Sequence, residues 1–393
     1  MSKNLRSSIK VALNSSIKPG LLAPAQFRGS TLDLDFAGAK SLKNQIGRQD
    51  VISFTRASSG TYVGGDGLIK TATTNEARFD HDSATGESLG LLIEEARTNS
   101  AKNSEDITSF RWTNTGDTLT RTANQISAPD GTTTADKIAI PSGSGEKGLQ
   151  SSALTGTSSG TQITSSCFCK AAEHYYVRVE MQGGGNTVSV NVDLSDGSLI
   201  SQVNSPDSYA IEAYPNDWYR ISVTSTTAST SASALRVYMV DASGNTSFTG
   251  TIGNGVYLWG GQHEVGGFVS SYISTAATAV TRAADVASIT GTNFSSWYNQ
   301  SQGTVFVDWH KSWKGPWDDY TPIFKTYNTG GNPAQITWGG QTNAGNGTQI
   351  YYLATNTSGT NELSYIFYDV NDAIHSDFKA AFALATNDAV VVQ

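Results

Sequence analysis

The sequence predicts an all-β fold, with antiparallel β-sandwiches in series behind an extended N-terminal arm. Three observations lead there. Charged residues make up only 15% of the chain, while Gly numbers 39 of 393 and Ser, Thr and Asn fill much of the remainder. Long surface helices need Lys, Glu and Arg in quantity, whereas this mixture suits pleated strands and tight turns. Hydrophobic residues recur with period two in segment after segment, and Gly, Asn and Asp clusters punctuate those segments at the short spacing of antiparallel sheets.

The elements follow in order. Residues 1–50 read as an arm with little core of its own. Pro19-Gly20 and Pro24 interrupt them, and Leu32, Leu34 and Phe36 alternating with Asp33 and Asp35 give one short strand. Residues 51–100 read as a small β connector. Tyr62-Val63, Gly64-Gly65-Asp66-Gly67 and Leu68-Ile69 spell a hairpin. A second runs from Ala77-Arg78-Phe79 through the turn Ser83-Ala84-Thr85-Gly86 to Leu89-Gly90-Leu91-Leu92-Ile93.

Residues 101–285 carry the clearest alternation. Tyr175, Val177, Val179 and Met181 are set against Tyr176, Arg178 and Glu180, and Gly183-Gly184-Gly185-Asn186 turns the chain into Val188, Val190, Val192 and Leu194. Asp196-Gly197 turns it again. Tyr219, Ile221 and Val223, then Leu235, Val237 and Met239, then Val256 and Leu258 continue the inward series. Such repetition predicts sheets with one face on the core and one in water. Residues 286–393 begin again with Val305, Val307 and Trp309. Strands are expected around Ile323-Phe324, Ile336 with Trp338, Ile350 with Tyr352, Tyr365 with Phe367, and Phe382 with Leu384. The chain stops inside the apolar run Ala389-Val390-Val391-Val392, so this last domain reads as incomplete or as completed by another chain.

Composition excludes several classes. Residues 1–50 hold eight basic residues against three acidic, a surplus of +5, while the rest holds 18 against 31 and stands at −13. The basic residues are scattered without interleaved aromatics, which argues against nucleic acid and for docking on an acidic protein surface. No apolar run reaches the 18 residues that a membrane helix needs. Lys3 and Arg6 precede no apolar stretch of signal-peptide length. Cys167 and Cys169 sit two apart on a strand, so they share one face and read as small buried hydrophobes rather than as a disulfide or metal site.

Two regions resemble a known family. Ser53-Phe54-Thr55-Arg56-Ala57-Ser58-Ser59-Gly60-Thr61-Tyr62-Val63 and Gly90-Leu91-Leu92-Ile93-Glu94-Glu95-Ala96-Arg97-Thr98-Asn99 resemble a module of bacteriophage virion fibre and head-spike proteins. Asn216-Asp217-Trp218-Tyr219-Arg220, Val256-Tyr257-Leu258-Trp259-Gly260-Gly261-Gln262, Ser271-Tyr272-Ile273 and Thr281-Arg282-Ala283-Ala284-Asp285 resemble the carbohydrate-binding-module-like jelly roll that follows it. Phe294 to Trp309 resembles the start of a laminin-G or concanavalin-like sandwich.

The resemblance implies a virion protein, a fibre or spike on tail or head. Residues 1–50 would dock on capsid or tail proteins, and β-sandwiches would face host glycans in a homo-oligomer, a trimer by the family's habit. A purely structural decoration or connector is the second expectation. A glycan depolymerase is the third: it needs two carboxylates about 5–10 Å apart, and the sequence offers no such pair, so the expectation is that the chain is not an enzyme. Nor does it point to a nucleic-acid partner or to membrane insertion.

Candidate site residues are few. Glu94-Glu95 are adjacent on a strand and point to opposite faces, so salt bridges with Arg56, Arg78 and Arg97 are the expectation. Asp80-His81-Asp82 has the residue types of a metal or proton-relay cluster, but it precedes a turn where Asp serves the backbone. No cofactor is called for, although Asp130-Gly131, Asp193 with Asp196-Gly197, and Asp241 with Asn245 could hold a structural calcium ion through loop oxygens. Aromatic rings stack on the apolar faces of sugars, and loops on rigid sandwiches carry binding. The loop with Trp313, Trp317, Asp318 and Tyr320 is therefore the expected glycan contact. Trp218 and Trp259 read as framework, and Trp112 and Tyr176 as weaker candidates.

Overall fold

A computed structural model describes residues 31–298 with their side chains, and beyond them the backbone of the strands Lys3–Leu5 and Ser8–Ala12, of the first residue of Ser30–Asp35, and of the strands between Gln302 and Val392. Among the described residues the chain is all-β apart from one short helix, Gly291–Ser295. Its centre is a sandwich of two six-stranded antiparallel sheets. The first sheet is ordered Thr113–Gly116, Lys147–Gln150, Ser233–Met239, Tyr176–Gly183, Val188–Asp193, Ser198–Val203. The second is ordered Thr120–Ile126, Ala135–Ala139, Gly255–Val265, Gln162–Ala171, Trp218–Thr226, Ser208–Tyr214.

Period-two alternation builds the core between the sheets. Val177, Val179, Met181, Val190, Leu235 and Val237 from the first sheet meet Cys167, Cys169, Ile221, Val223 and Leu258 from the second, all fully buried. Both cysteines are free and sit in this core as small apolar groups. Trp112 closes the core, its ring lying against Gly261, where a Cβ would come within 2.6 Å of it. Tyr175 departs from the inward series. The strand starts at Tyr176, and Tyr175 is exposed.

The second sheet corrects the expectation of one wet face. Its outward side chains Phe168, Trp218 and Trp259 join Ile69, Ala128, Ala135, Tyr214 and Tyr272 in a second buried core. Phe168 is the hub, edge-on to Tyr214 at 5.0 Å and to Trp259 at 5.4 Å. A β-bulge between Ser166 and Phe168 makes this possible. Gly260 takes the extra position with φ +64, a left-handed conformation open to glycine. The two tryptophans are framework, each with its indole N–H satisfied: Trp218 donates to Ser127 O at 3.1 Å and Trp259 to Thr134 Oγ1 at 3.0 Å.

The hairpin Gly60–Val63 with Ile69–Ala72 supplies Ile69 to that second core, and Phe79–His81 pairs with Ser88–Ile93, as the turn residues predict. The N-terminal strands join other segments. Lys3–Leu5 pairs with Leu91–Ile93, and Ser8–Ala12 lies between Ser30–Asp35 and Gln302–Lys311. Leu32, Leu34 and Phe36 are buried. Asp388–Val392, the apolar run at the end of the sequence, pairs with Ser376–Ala385.

The chain divides into two compact units, and residues 310–378 form the second. Taken by itself, that unit is an antiparallel meander of Thr321–Thr326, Ile336–Asn343, Gly347–Thr355 and Asn361–Tyr368, the strands that alternation predicts there.

Candidate functional site

The family-like motifs converge on one place, and it is buried. Arg56, Arg78, Glu94, Arg282 and Asp285 have side chains at most 1% exposed. Arg56 Nη1 pairs with Asp285 at 3.0 Å, Arg78 Nη1 with Glu94 at 2.8 Å and Arg282 Nη2 with Glu94 at 3.4 Å. Arg78 also closes directly on Asp285. Ser271 donates to Glu94 through both its amide, at 2.8 Å, and its hydroxyl, at 2.6 Å. Burial pushes the Glu94 carboxyl up, but the charges of Arg282 and Arg78 and the Ser271 donors outweigh it and hold the pKa at about 2. Glu94 is thus a fixed anion that water does not reach, and no proton carrier. Glu95 points the other way, half-exposed, and pairs with Arg97 at 2.7 Å. The motif residues therefore fasten residues 53–99 to residues 271–285; paired in this way, buried charge is tolerated.

A second buried group joins the two sheets. His263, on the second sheet, shares hydrogen bonds with Ser165 Oγ at 2.8 Å and with Ser233 Oγ, on the first sheet, at 2.9 Å. Burial lowers its pKa to about 4, so the imidazole is neutral. Serine beside histidine is the pairing of acyl-transfer chemistry. Here all three side chains lie in the interior and no substrate reaches them.

Asp80-His81-Asp82 serves the backbone. Asp80 accepts the Val63 amide at 2.7 Å, His81 Nδ1 meets Val63 O at 2.9 Å, and Asp82 accepts the amides of Ala84 and Thr85 at 3.0 and 2.8 Å. The calcium candidates make the same kind of turn. Asp130, Asp193, Asp196 and Asp241 each accept an amide two residues ahead. Among the described residues no three His, Cys, Asp or Glu side chains gather at a metal-sized spacing. Trp313, Trp317, Asp318 and Tyr320 lie outside the described residues.

What remains is the outward face of the first sheet. Strand register sets Gln150, Arg236, Glu180 and Ser189 in one row across four strands. The neighbouring row is Gly148, Tyr238, Arg178, Asn191 and Ser201. Arg236 Nε donates to Gln150 Oε1 at 2.6 Å, and its Nη1 lies 3.3 Å from the Tyr238 hydroxyl and 3.5 Å from Glu180. Arg178 Nε donates to Asn191 Oδ1 at 2.9 Å, and its Nη2 to Gly244 O at 2.7 Å.

The segment from Asp241 to Asn245 thus lies against the second row, and in the first row Gln150 and Arg236 are half-buried while Glu180 and Ser189 are buried. Gly244 has φ +85, and a Cβ there would come within 2.5 Å of Asn191 Nδ2, so glycine sets this close approach. Tyr238 lies flat over Gly148, where a Cβ would meet its ring at 2.2 Å. Burial raises the Glu180 pKa against the pull of Arg236 and Arg178. Ser189 Oγ is buried and has no hydrogen-bond partner. Alternation in the sequence shows Arg178 and Glu180 as an outward set, but nothing in it shows that Gln150 and Arg236 complete their rows.

No protein-family model matches the chain, and no curated protein matches it. Among solved structures it is similar to the enzymatically active domain of tailspike protein 4 from bacteriophage CBA120. Identity is 12%, the TM-score is 0.27, and the match covers 42% of this chain and 21% of that one. The chain thus spans about a fifth of that structure, and the likeness carries no assignment of fibre, spike or ligand. It does correct the expectation of a chain that is not an enzyme. The solved domain is described as enzymatically active.

Proposed function

We propose that this chain is a phage virion surface protein that engages host-surface polysaccharide across the outward face of its first sheet. One contrast carries the reading. The second sheet carries a second core on its outward face, while the first turns the half-buried amide of Gln150 and guanidinium of Arg236 outward side by side. Sugar hydroxyls are recognised by such placed polar groups on a rigid scaffold. The loop with Trp313, Trp317, Asp318 and Tyr320 is a second, sequence-derived contact in the same proposal. Weak binding at each site suffices when many copies act together on one particle.

Binding of the full chain to polysaccharide extracted from host cells tests this, with release of reducing sugar followed in the same samples. The pair Arg236→Ala and Gln150→Ala is expected to lower binding at least tenfold with an unchanged melting temperature. The pair Trp313→Ala and Trp317→Ala reports on the loop. Binding unaffected by both pairs sinks the proposed sites. A rise in reducing ends adds cleavage to binding.

A further inference from the structure

The four edges of the central sandwich are not equally protected. An edge strand presents unpaired N–H and C=O groups to any other strand, and native sheets blunt it with short length, bulges, Pro or charge. Thr113–Gly116 is four residues long and ends on Gly116 at φ +89. Thr120–Ile126 has a β-bulge between Thr122 and Ile126, with Asn124 at φ +56. Ser198–Val203 has a bulge at Ile200. Ser208–Tyr214 is different. It runs seven residues in unbroken register with Trp218–Thr224, holds no Lys, Arg or Pro, and has Glu212 as its one charged residue. Among the described residues no strand pairs with its other side. Along an antiparallel strand, alternate residues turn both backbone groups toward the neighbour or both away. The Ala213 carbonyl accepts Ser83 Oγ at 2.6 Å. Ala213 is therefore of the outward set, and Ile211 and Tyr209 share it. Their side chains stand beside Ile221 and Val223 on the core face. Ile211 packs on the core, and Tyr209 is 40% exposed at its margin.

We infer that Ser208–Tyr214 pairs with the same strand of a second copy of this chain, antiparallel and centred on Ala210. In that register Tyr209 and Ile211 exchange backbone hydrogen bonds with the second copy's Ile211 and Tyr209. Ala210 faces itself, and its small side chain suits the closer, non-hydrogen-bonded spacing. Tyr209 opposite Ile211 is an aromatic and β-branched pair, which favours a sheet, and the exposed ring gains cover. Ser208 lies opposite Glu212, so no like charges meet. A centre at Ile211 would instead call on the Ala213 carbonyl, which Ser83 already holds. This self-match favours a second copy over a strand of foreign sequence. The same surface on both partners is the two-fold arrangement commonest among homo-oligomers.

The experiment uses the full chain in size-exclusion chromatography with light scattering. A mass of two chains is expected. Ala210→Lys sets two ammonium groups face to face and is expected to give the mass of one chain, with an unchanged melting temperature. Ala210→Cys is expected to form a disulfide-linked dimer on mild oxidation, because facing residues with Cα atoms about 4.5 Å apart lie within disulfide reach. Glu212→Cys, opposite Ser208, is not. Cys167 and Cys169 are buried and do not compete. The crosslinking pair carries the test if Ala210→Lys fails to fold. A one-chain mass for the wild type up to its solubility limit overturns the inference, and so does a two-chain mass that folded Ala210→Lys retains. A mass of two or three chains in which Ala210→Cys crosslinks no faster than Glu212→Cys also overturns it.

Discussion

Glu94 and Asp285, 191 positions apart, are joined by two reciprocal hydrogen bonds. The Asp285 carboxylate accepts the Glu94 amide at 2.8 Å, and the Asp285 amide donates to the Glu94 carbonyl at 2.8 Å. Their side chains carry the charge that Arg56, Arg78 and Arg282 require. Removing one anion leaves two guanidiniums buried and short of a partner. Asp285→Ala is therefore expected to cost about 3–5 kcal/mol, against a native margin of about 5–15 kcal/mol. Chemical denaturation followed by circular dichroism reads this directly. A loss below about 1 kcal/mol would mean that water enters and solvates the arginines.

Acid should weaken the fold in two stages. His263 has an ordinary pKa of 6.5 and a folded value of about 4, so between these values the unfolded chain takes up a proton that the folded chain refuses. Stability is full above pH 6.5 and falls by about 3 kcal/mol as the pH drops to 4. Glu94, with an ordinary value of 4.5 and a folded value of about 2, adds a second loss from 4.5 downward. Burial also lowers the pKa of half-buried His174. The readout is thus the difference between wild type and His263→Gln. The variant should start less stable and show a shallower decline between pH 6.5 and 4, and parallel declines would remove His263 as the cause.

The cysteines give a probe of the core. Both are fully buried between the sheets, and burial raises the Cys169 thiol well above its usual range. Reactivity needs an accessible thiolate. A thiol-reactive dye should label neither residue in the native chain and both after unfolding. Fast native labelling of either would show that the sandwich opens locally.

Much of this was legible in the sequence, for a physical reason. Val177, Val179 and Met181 announce their face because side chains on a strand alternate strictly. The turn at Gly183-Gly184-Gly185-Asn186 and the hairpin at Gly64-Gly65-Asp66-Gly67 follow from glycine's conformational freedom. The pairing of Glu94 with arginine was readable from the number of arginines nearby. What stayed hidden depends on register between distant strands. Gln150, Arg236, Glu180 and Ser189 form a row only after pairing, and their order in the chain is unrelated to their order in the row. The dry outer face of the second sheet was equally hidden, because part of its cover, Ile69, comes from a distant hairpin.

That cover leads to a last expectation, about folding. Residues 53–99 hold Arg56, Arg78 and Glu94 but lack Arg282 and Asp285, and their Ile69 packs on Phe168, Trp218 and Trp259 of the second sheet. Cut loose, this segment would expose its apolar side chains and leave two arginines with one carboxylate. Short hairpins without a packing partner are marginal in water. A peptide of residues 53–99 should therefore be unfolded by circular dichroism and by proton chemical-shift dispersion. Residues 53–298, which contain both halves of the ionic junction and the whole second core, should melt in one transition. A folded 53–99 peptide, or two separate transitions in 53–298, would show that the segment is an independent module and that the junction merely rests on it.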